Sequence, residues 1–362
     1  MHSRLPDGWA ERCAGLIIGG AVGDALGLPR EGVSPRRAVA IWGDGPVRHA
    51  LVFGRGMCSD DTELTCITGQ AWLASGGSLE RFERELALRL RWWFALLPAA
   101  VGRATAAACI RLWLGWRPAN AGARSAGNGA AMRAAILAVC IPHDESRLIE
   151  TVRRAAGITH RDVRAIDGAV AVALVARAAL FAGDSVQPRR TLQAAASRVE
   201  SMEIRESLLS ASCQPKGEAV APHLGETWSP RAGVSGYVVH TVRAALHCWA
   251  AHPSDFRAAI DAAVRLGGDT DSVAAIVGNL SGATVGLSRL PREWREGVCE
   301  WPRSIAWMER LAEALSAVAQ REFLEATRPI SLRWSGLIPR NAAFFTIVLA
   351  HALRRALPPY GQ

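Results

Sequence analysis

Lysine is almost missing. Lys216 is the only one among 42 Lys plus Arg residues, so the excess over 33 Asp plus Glu that gives a net charge of +9 is carried by arginine. Such a balance favours anionic partners: phosphates, nucleic acid or acidic protein surfaces. The arginines are spread along the chain and no RRM, zinc-finger or KH signature occurs, so nucleic acid is possible as a partner but not indicated. No C-x-x-C pair occurs among the eight cysteines, Cys13, Cys58, Cys66, Cys109, Cys140, Cys213, Cys248 and Cys299. They are expected to be small buried hydrophobes in a reducing compartment. No secretory pattern opens the sequence, since the apolar stretch around Leu16 is broken by glycines. No run is judged long enough to cross a bilayer, and the expectation is a cytoplasmic protein without a membrane. Strand signals are scarce and no repeat stands out, which leaves an all-α fold.

What is present is an apolar chain with two short acidic clusters. Half of the 362 residues are hydrophobic, enough for a large core. Ser59-Asp60-Asp61-Thr62 lies near the start and Asp269-Thr270-Asp271-Ser272 far downstream, each followed by apolar residues at helical spacing. Both clusters suit helix N-caps. Brought together, they would also supply hard oxygen ligands for Mg²⁺ or Mn²⁺.

Gly15, Gly19, Gly20 and Gly23 recur at helical spacing in an apolar stretch, the mark of a helix that a neighbouring backbone approaches closely. Asp24, an acid in that stretch, should be paired or hydrogen-bonded. Residues 33–57, rich in Gly and Pro, are expected to be irregular. Helices are predicted over 61–75, 78–97, 101–116, 146–156, 163–181, 190–210, 237–251, 255–266, 305–326 and 341–357, the last ending in Arg354-Arg355. Ser125 to Arg133 reads as a Gly-rich turn opening a helix to Cys140, a place for a phosphate or an ordinary turn. The change of character near Trp301 divides the chain into a body over 9–304 and a helical extension over 305–362. That extension packs on the body or on a second copy, and the oligomeric state stays open.

Six motifs in order carry a resemblance. Gly20-Ala21-Val22-Gly23-Asp24-Ala25-Leu26-Gly27, Ser59-Asp60-Asp61-Thr62, Gly127-Asn128-Gly129-Ala130-Ala131-Met132-Arg133, Thr159-His160-Arg161-Asp162, Ser235-Gly236-Tyr237-Val238-Val239 and Gly267-Gly268-Asp269-Thr270-Asp271-Ser272 together resemble the ADP-ribosylglycohydrolases. The resemblance implies an orthogonal bundle of helices around a cleft for ADP-ribose, with two Mg²⁺ or Mn²⁺ ions. Ser59, Asp60, Asp61, Asp269, Asp271 and Ser272 would be the metal ligands, with Ser standing at 59 and 272 where Thr is commoner. Asp61 or Glu31 would be the catalytic carboxylate. Gly127, Asn128, Gly129, Met132 and Arg133 would hold the diphosphate or distal ribose, with Gly102 and Thr105 lining the cleft. His160 would face the substrate, oriented by Asp162, and Tyr237 would lie near the adenosine. The implied reaction removes ADP-ribose from a protein or small molecule, most often at arginine. A two-metal nucleotide phosphohydrolase and a non-catalytic ADP-ribose-binding protein are the alternatives.

Overall fold

The computed structural model describes residues 5–99, 101–320 and 327–356, the side chains of 355 and 356 excepted. The chain runs α1 (Trp9–Gly27), α2 (Pro35–Trp42), α3 (Asp60–Ser75), α4 (Leu79–Ala95), α5 (Arg103–Trp113) and the single turn α6 (Pro118–Ala121). A 3₁₀ turn over Asn128–Ala130 precedes α7 (Ile136–Cys140), α8 (Glu145–Gly157) and α9 (Val163–Ala182). Then α10 (Pro188–Ala196) and α11 (Met202–Ser212) lead to β1 (Trp228–Ser229), antiparallel to β2 (Gly233–Val234) with Trp228 opposite Val234. The order closes with α12 (Val238–Ala251), α13 (Phe256–Arg265), α14 (Thr270–Val285), α15 (Arg292–Gly297), α16 (Ile305–Ala319) and α17 (Leu337–Ala356). The fold is all-α, as the sequence implies.

Side-chain caps start many of these helices. Ser59, Ser78, Asp144, Asp162, Ser201, Asp255 and Ser304 each accept from an amide of the first turn, satisfying a donor that the helix itself cannot. Three expectations need correction. The segment 33–57 is not wholly irregular, because Ser34 caps and Pro35 opens α2. The helix expected over 190–210 is two helices. Its break is held by the Asp167 carboxylate, which accepts from the amides of Glu200 and Ser201, each at 2.6 Å. The Gly-rich turn at 127–129 feeds a 3₁₀ turn, and regular helix begins only at Ile136.

The centre of the fold is the seam between α1 and α14. A Cβ on Gly19 would stand 2.4 Å from the Gly278 carbonyl oxygen, and one on Gly23 2.0 Å from that of Ala274. Glycine is required here because the backbones touch, as the sequence implied. The seam places Asp24, on α1, close to the start of α14. α9 runs buried through the body, its Val170 to Val175 in the same core as α1 and α14.

Residues 305–319, placed at the start of an extension, bury Trp307, Met308, Leu311 and Leu315 in that core as well. Residues 321–326 and 357 of the expected terminal helices, and the side chain of Arg355, lie outside the described residues. Two helical stretches, Val163–Ser185 and Trp334–Arg354, are long and apolar enough to cross a membrane, contrary to expectation. The first is interior to the body. The second is only 28% buried and exposes Ile338, Phe345, Leu349 and Leu353. Six cysteines are buried as expected, whereas Cys213 is exposed and Cys299 half-buried.

Candidate active site

The two acidic clusters meet. Ser59 caps α3 through the Asp61 amide at 3.2 Å, and its hydroxyl donates to Asp61 Oδ2 at 3.0 Å. From the start of α14, the Ser272 hydroxyl donates to the same Oδ2 at 3.3 Å. Residues 211 positions apart in sequence thus share one carboxylate oxygen. Both clusters occupy the positive ends of helices, which favours negative charge. The cap reading and the convergence reading therefore hold together at the first cluster.

Each cluster is anchored by buried polar contacts. Asp24 accepts from the Ser59 amide at 3.0 and 2.9 Å, and from the Thr62 amide at 3.2 Å and its hydroxyl at 2.5 Å. The acid within the apolar stretch is thus a fully hydrogen-bonded brace. The second cluster hangs on Gly267 and Gly268, with φ of +67° and +78°, where a side chain would be strained. Isolated bridges clasp this backbone on both sides, to Val33 and to Val234. Gly32 donates to the Gly268 carbonyl at 2.7 Å and Asp269 donates to that of Val234 at 2.8 Å. The first clasp holds Glu31 at the mouth beside Asp271.

Together these segments form a cleft of about 530 Å³, a volume suited to a nucleotide-sized ligand. Glu31, Asp60, Asp61, Asp269, Asp271 and Ser272 line it, with Gly102, Thr105, Gly127, Asn128, Gly129, Met132 and His160 opposite. Burial, and then the charges of Asp24, Asp60 and Asp269, hold the Asp61 carboxyl well above its ordinary range. Asp60 and Asp271 are raised in the same way, by burial and then by their acidic neighbours. Asp269 is raised by burial, against the pull of hydrogen bonds that include one from Asn128.

The donor set fits a hard divalent cation on one specific observation. Asp61 Oδ1 is buried and has no hydrogen-bond partner, while Oδ2 takes both serine hydroxyls. An orphaned carboxylate oxygen among raised acids calls for a positive counter-charge. Among the described residues, no three His, Cys, Asp or Glu side chains stand together as a ready-made metal-binding group. The carboxylates are instead distributed along the cleft lining.

Four expected roles change. Arg133 does not reach the cleft: its guanidinium donates to the Gly129 and Ala155 carbonyls and to Thr159 Oγ1 at 2.7, 3.1 and 2.7 Å. It braces the turn from behind. Two turn amides are also committed, Gly127 to Ser125 Oγ and Asn128 to the Gly236 carbonyl. Asp162 caps α9 and grips Arg164, with no hydrogen bond to His160. Tyr237 stands outside the cleft lining, its hydroxyl donating to Glu203 and accepting from Arg164.

His160 is oriented instead by Thr159, whose Oγ1 lies 2.9 Å from Nδ1. Thr159 Oγ1 also accepts from Arg133 and donates to the Ala156 carbonyl at 3.4 Å, and the Nε2 edge of the ring faces Gly127 and Gly129. Burial, and then Arg133, lower the imidazole to about 3, so it stays neutral. The residue missed in sequence is Arg103, the first of α5 and the one arginine among the described cleft-lining residues. It sits between Gly102 and Thr105, which line the same cleft.

Comparisons with known proteins follow the same line. A family model described as ADP-ribosylglycohydrolase matches residues 5–325. The ADP-ribosylarginine hydrolase Tri1 of Pseudomonas putida is 31% identical over 327 residues, covering 86% of this chain and 79% of its own length. The ADP-ribosyl-[dinitrogen reductase] glycohydrolase of Rhodospirillum rubrum is 28% identical, covering 78% of this chain and 89% of its own. A solved structure titled ADP-ribosylglycohydrolase-related protein complex superposes with a TM-score of 0.66 at 28% identity, over 87% of this chain and 100% of that one.

Proposed function

Because the chain belongs to the ADP-ribosylglycohydrolase family, we propose that its cleft hydrolyses the bond between ADP-ribose and an arginine side chain of a protein. The same reading has two Mg²⁺ or Mn²⁺ ions held by Ser59, Asp60, Asp61, Asp269, Asp271 and Ser272. The family makes the chain a hydrolase of ADP-ribose linkages; arginine and the ions are the proposed refinements. The observation that carries the ions is the single Asp61 carboxylate, with one oxygen shared by Ser59 and Ser272 and the other buried without a partner, while arginine is supported by the name of the similar ADP-ribosylarginine hydrolase.

Bound there, the ions would supply Lewis acidity toward the ribose hydroxyls and an oriented water. The side chains divide the remaining work. Asp61 Oδ2 is committed to two hydroxyls, which makes Asp61 a holding group. Glu31, half-buried at the mouth, is the carboxylate placed to move a proton. It takes one from water as the water oxygen bonds to the anomeric carbon, and passes it to the departing guanidine nitrogen as the C–N bond breaks. The developing oxocarbenium character is eased by the acidic surroundings. Across the cleft, Arg103 is the cationic donor available to the diphosphate, aligning the bond from a distance, with the Nε2 edge of His160 facing the same space.

The test is incubation with ADP-ribosylated arginine, serine and nucleic acid, with and without Mg²⁺ or Mn²⁺. Free ADP-ribose from the arginine substrate, dependent on the ion, is the expected result. AMP plus ribose phosphate would instead mark a phosphohydrolase, and no turnover of any substrate would mark a binding protein.

A further inference from the structure

Outside the cleft lining, at the first turn of α3, lies a second buried charge cluster made of Glu63, Glu300, Arg303 and Arg340. Arg303 donates to Glu63 Oε1 at 2.9 Å, and Arg340 Nη1 stands 3.3 Å from the same oxygen. Arg340 also takes both oxygens of Glu300, at 2.8 and 2.9 Å, a two-pronged pairing that only a guanidinium makes. Its Nη2 then donates to the Cys58 carbonyl at 2.6 Å, while the Cys58 amide donates to Glu300 Oε2 at 2.9 Å. The guanidinium lies over the Phe344 ring at 4.3 Å, on the same helix. Both backbone polar groups of Cys58 are thus closed into one ring with the Arg340–Glu300 pair. Arg340 therefore touches residues 58 and 63, the two ends of the stretch that carries Ser59, Asp60 and Asp61.

Arg340 belongs to α17, which starts beyond residue 325, where the family match ends. We propose that Arg340 is a positioning residue of the active site, delivered by the C-terminal helix to fix the backbone on which the first carboxylate cluster stands. It touches no substrate and acts through Cys58 and Glu63. For its effect on ion binding, this inference rests on the proposed divalent-ion site; for its effect on the backbone it does not.

Two readouts separate these. Mn²⁺ affinity would be measured by electron paramagnetic resonance, and amide exchange over residues 58–62 on the ion-free chain, for the parent, Arg340→Met, Arg340→Lys and His351→Ala. The His351 ring bonds the Leu51 carbonyl at 2.6 Å and tethers α17 far from Cys58, so that variant controls for loosening of the helix. Arg340→Met should bind Mn²⁺ about tenfold more weakly or worse, the size expected when a residue supporting metal ligands is lost. It should also exchange faster over 58–62. Arg340→Lys, keeping charge but losing the fork, should fall between it and the parent, and His351→Ala should match the parent in both readouts. Unchanged affinity and exchange in Arg340→Met overturn the proposal, as does an equal loss in His351→Ala. A parent that binds no Mn²⁺ removes the ion reading, and faster exchange in Arg340→Met then still upholds Arg340 as the clamp.

Discussion

Two acidic groups meet at the start of α3, and their electrostatic surroundings are opposite. On the cleft side, Asp60, Asp61 and Asp271 are raised well above their ordinary range by burial first and then by neighbouring carboxylates, Asp24 foremost for Asp60 and Asp61 and Glu31 for Asp271. On the other side, burial alone would raise Glu63. Arg303 and Arg340 outweigh it, helped by the Trp93 N–H, and hold Glu63 below its ordinary value. The same residue types, a turn apart on one helix, are unbalanced in one place and neutralised in the other. A buried charge that the protein itself balances belongs to the architecture. One left unbalanced is reserved for something that arrives.

That contrast breaks most visibly at the cleft. Asp271→Asn should lower turnover by about a thousandfold or more, as expected for members of one catalytic unit. Its ion-free melting temperature should not fall, because a repelling charge has gone. Steady-state kinetics and a thermal melt check both parts. Glu63→Gln should do the reverse in kind. It leaves two buried guanidiniums short of a partner and should cost about 3–5 kcal/mol of stability in denaturant unfolding. A large activity loss at unchanged stability in this variant would erase the distinction between the two clusters.

A smaller effect sharpens the comparison on the opposite wall. Arg103→Ala should raise KM for the ADP-ribosylated substrate about tenfold, from loss of a charge-assisted hydrogen bond. Its kcat should change less, and Arg133→Met, by contrast, should show its main effect in the thermal melt. The smallest effect concerns pH and two buried histidines. Burial first, and neighbouring charges second, lower His160 and His247 to about 3. The unfolded chain binds protons there below the ordinary value of about 6.5, and the folded chain does not. Stability is therefore complete above that pH and declines as pH falls toward 3. The loss at pH 5 should be on the order of 1–2 kcal/mol for each ring. His247→Gln should flatten the slope of melting temperature against pH between 7 and 5.

The sequence made part of this legible. The acidic clusters and the glycines of α1 show themselves because their chemistry is local: a spacing, a cap, a missing side chain. Even the helix break at 197–200 turns on Asp167, 33 positions away from Glu200, which no local pattern registers. Arg133 illustrates the same limit. Its motif is local, but where its guanidinium goes depends on the end of α8. The clamp at Cys58 joins residues 242 and 282 positions distant, and Arg340 sits in an apolar helix with nothing nearby to mark it. Arg103 was overlooked for a different reason, since one arginine among many exposed ones carries no distinguishing neighbour.

The most direct test of the central claim is a calorimetric titration of Mn²⁺ into the parent chain, Asp61→Asn and Asp271→Asn. The account predicts two ions per parent chain, with uptake weakened by either substitution although the two aspartates come from opposite ends of the sequence. No uptake by the parent, or uptake that neither substitution alters, would contradict it.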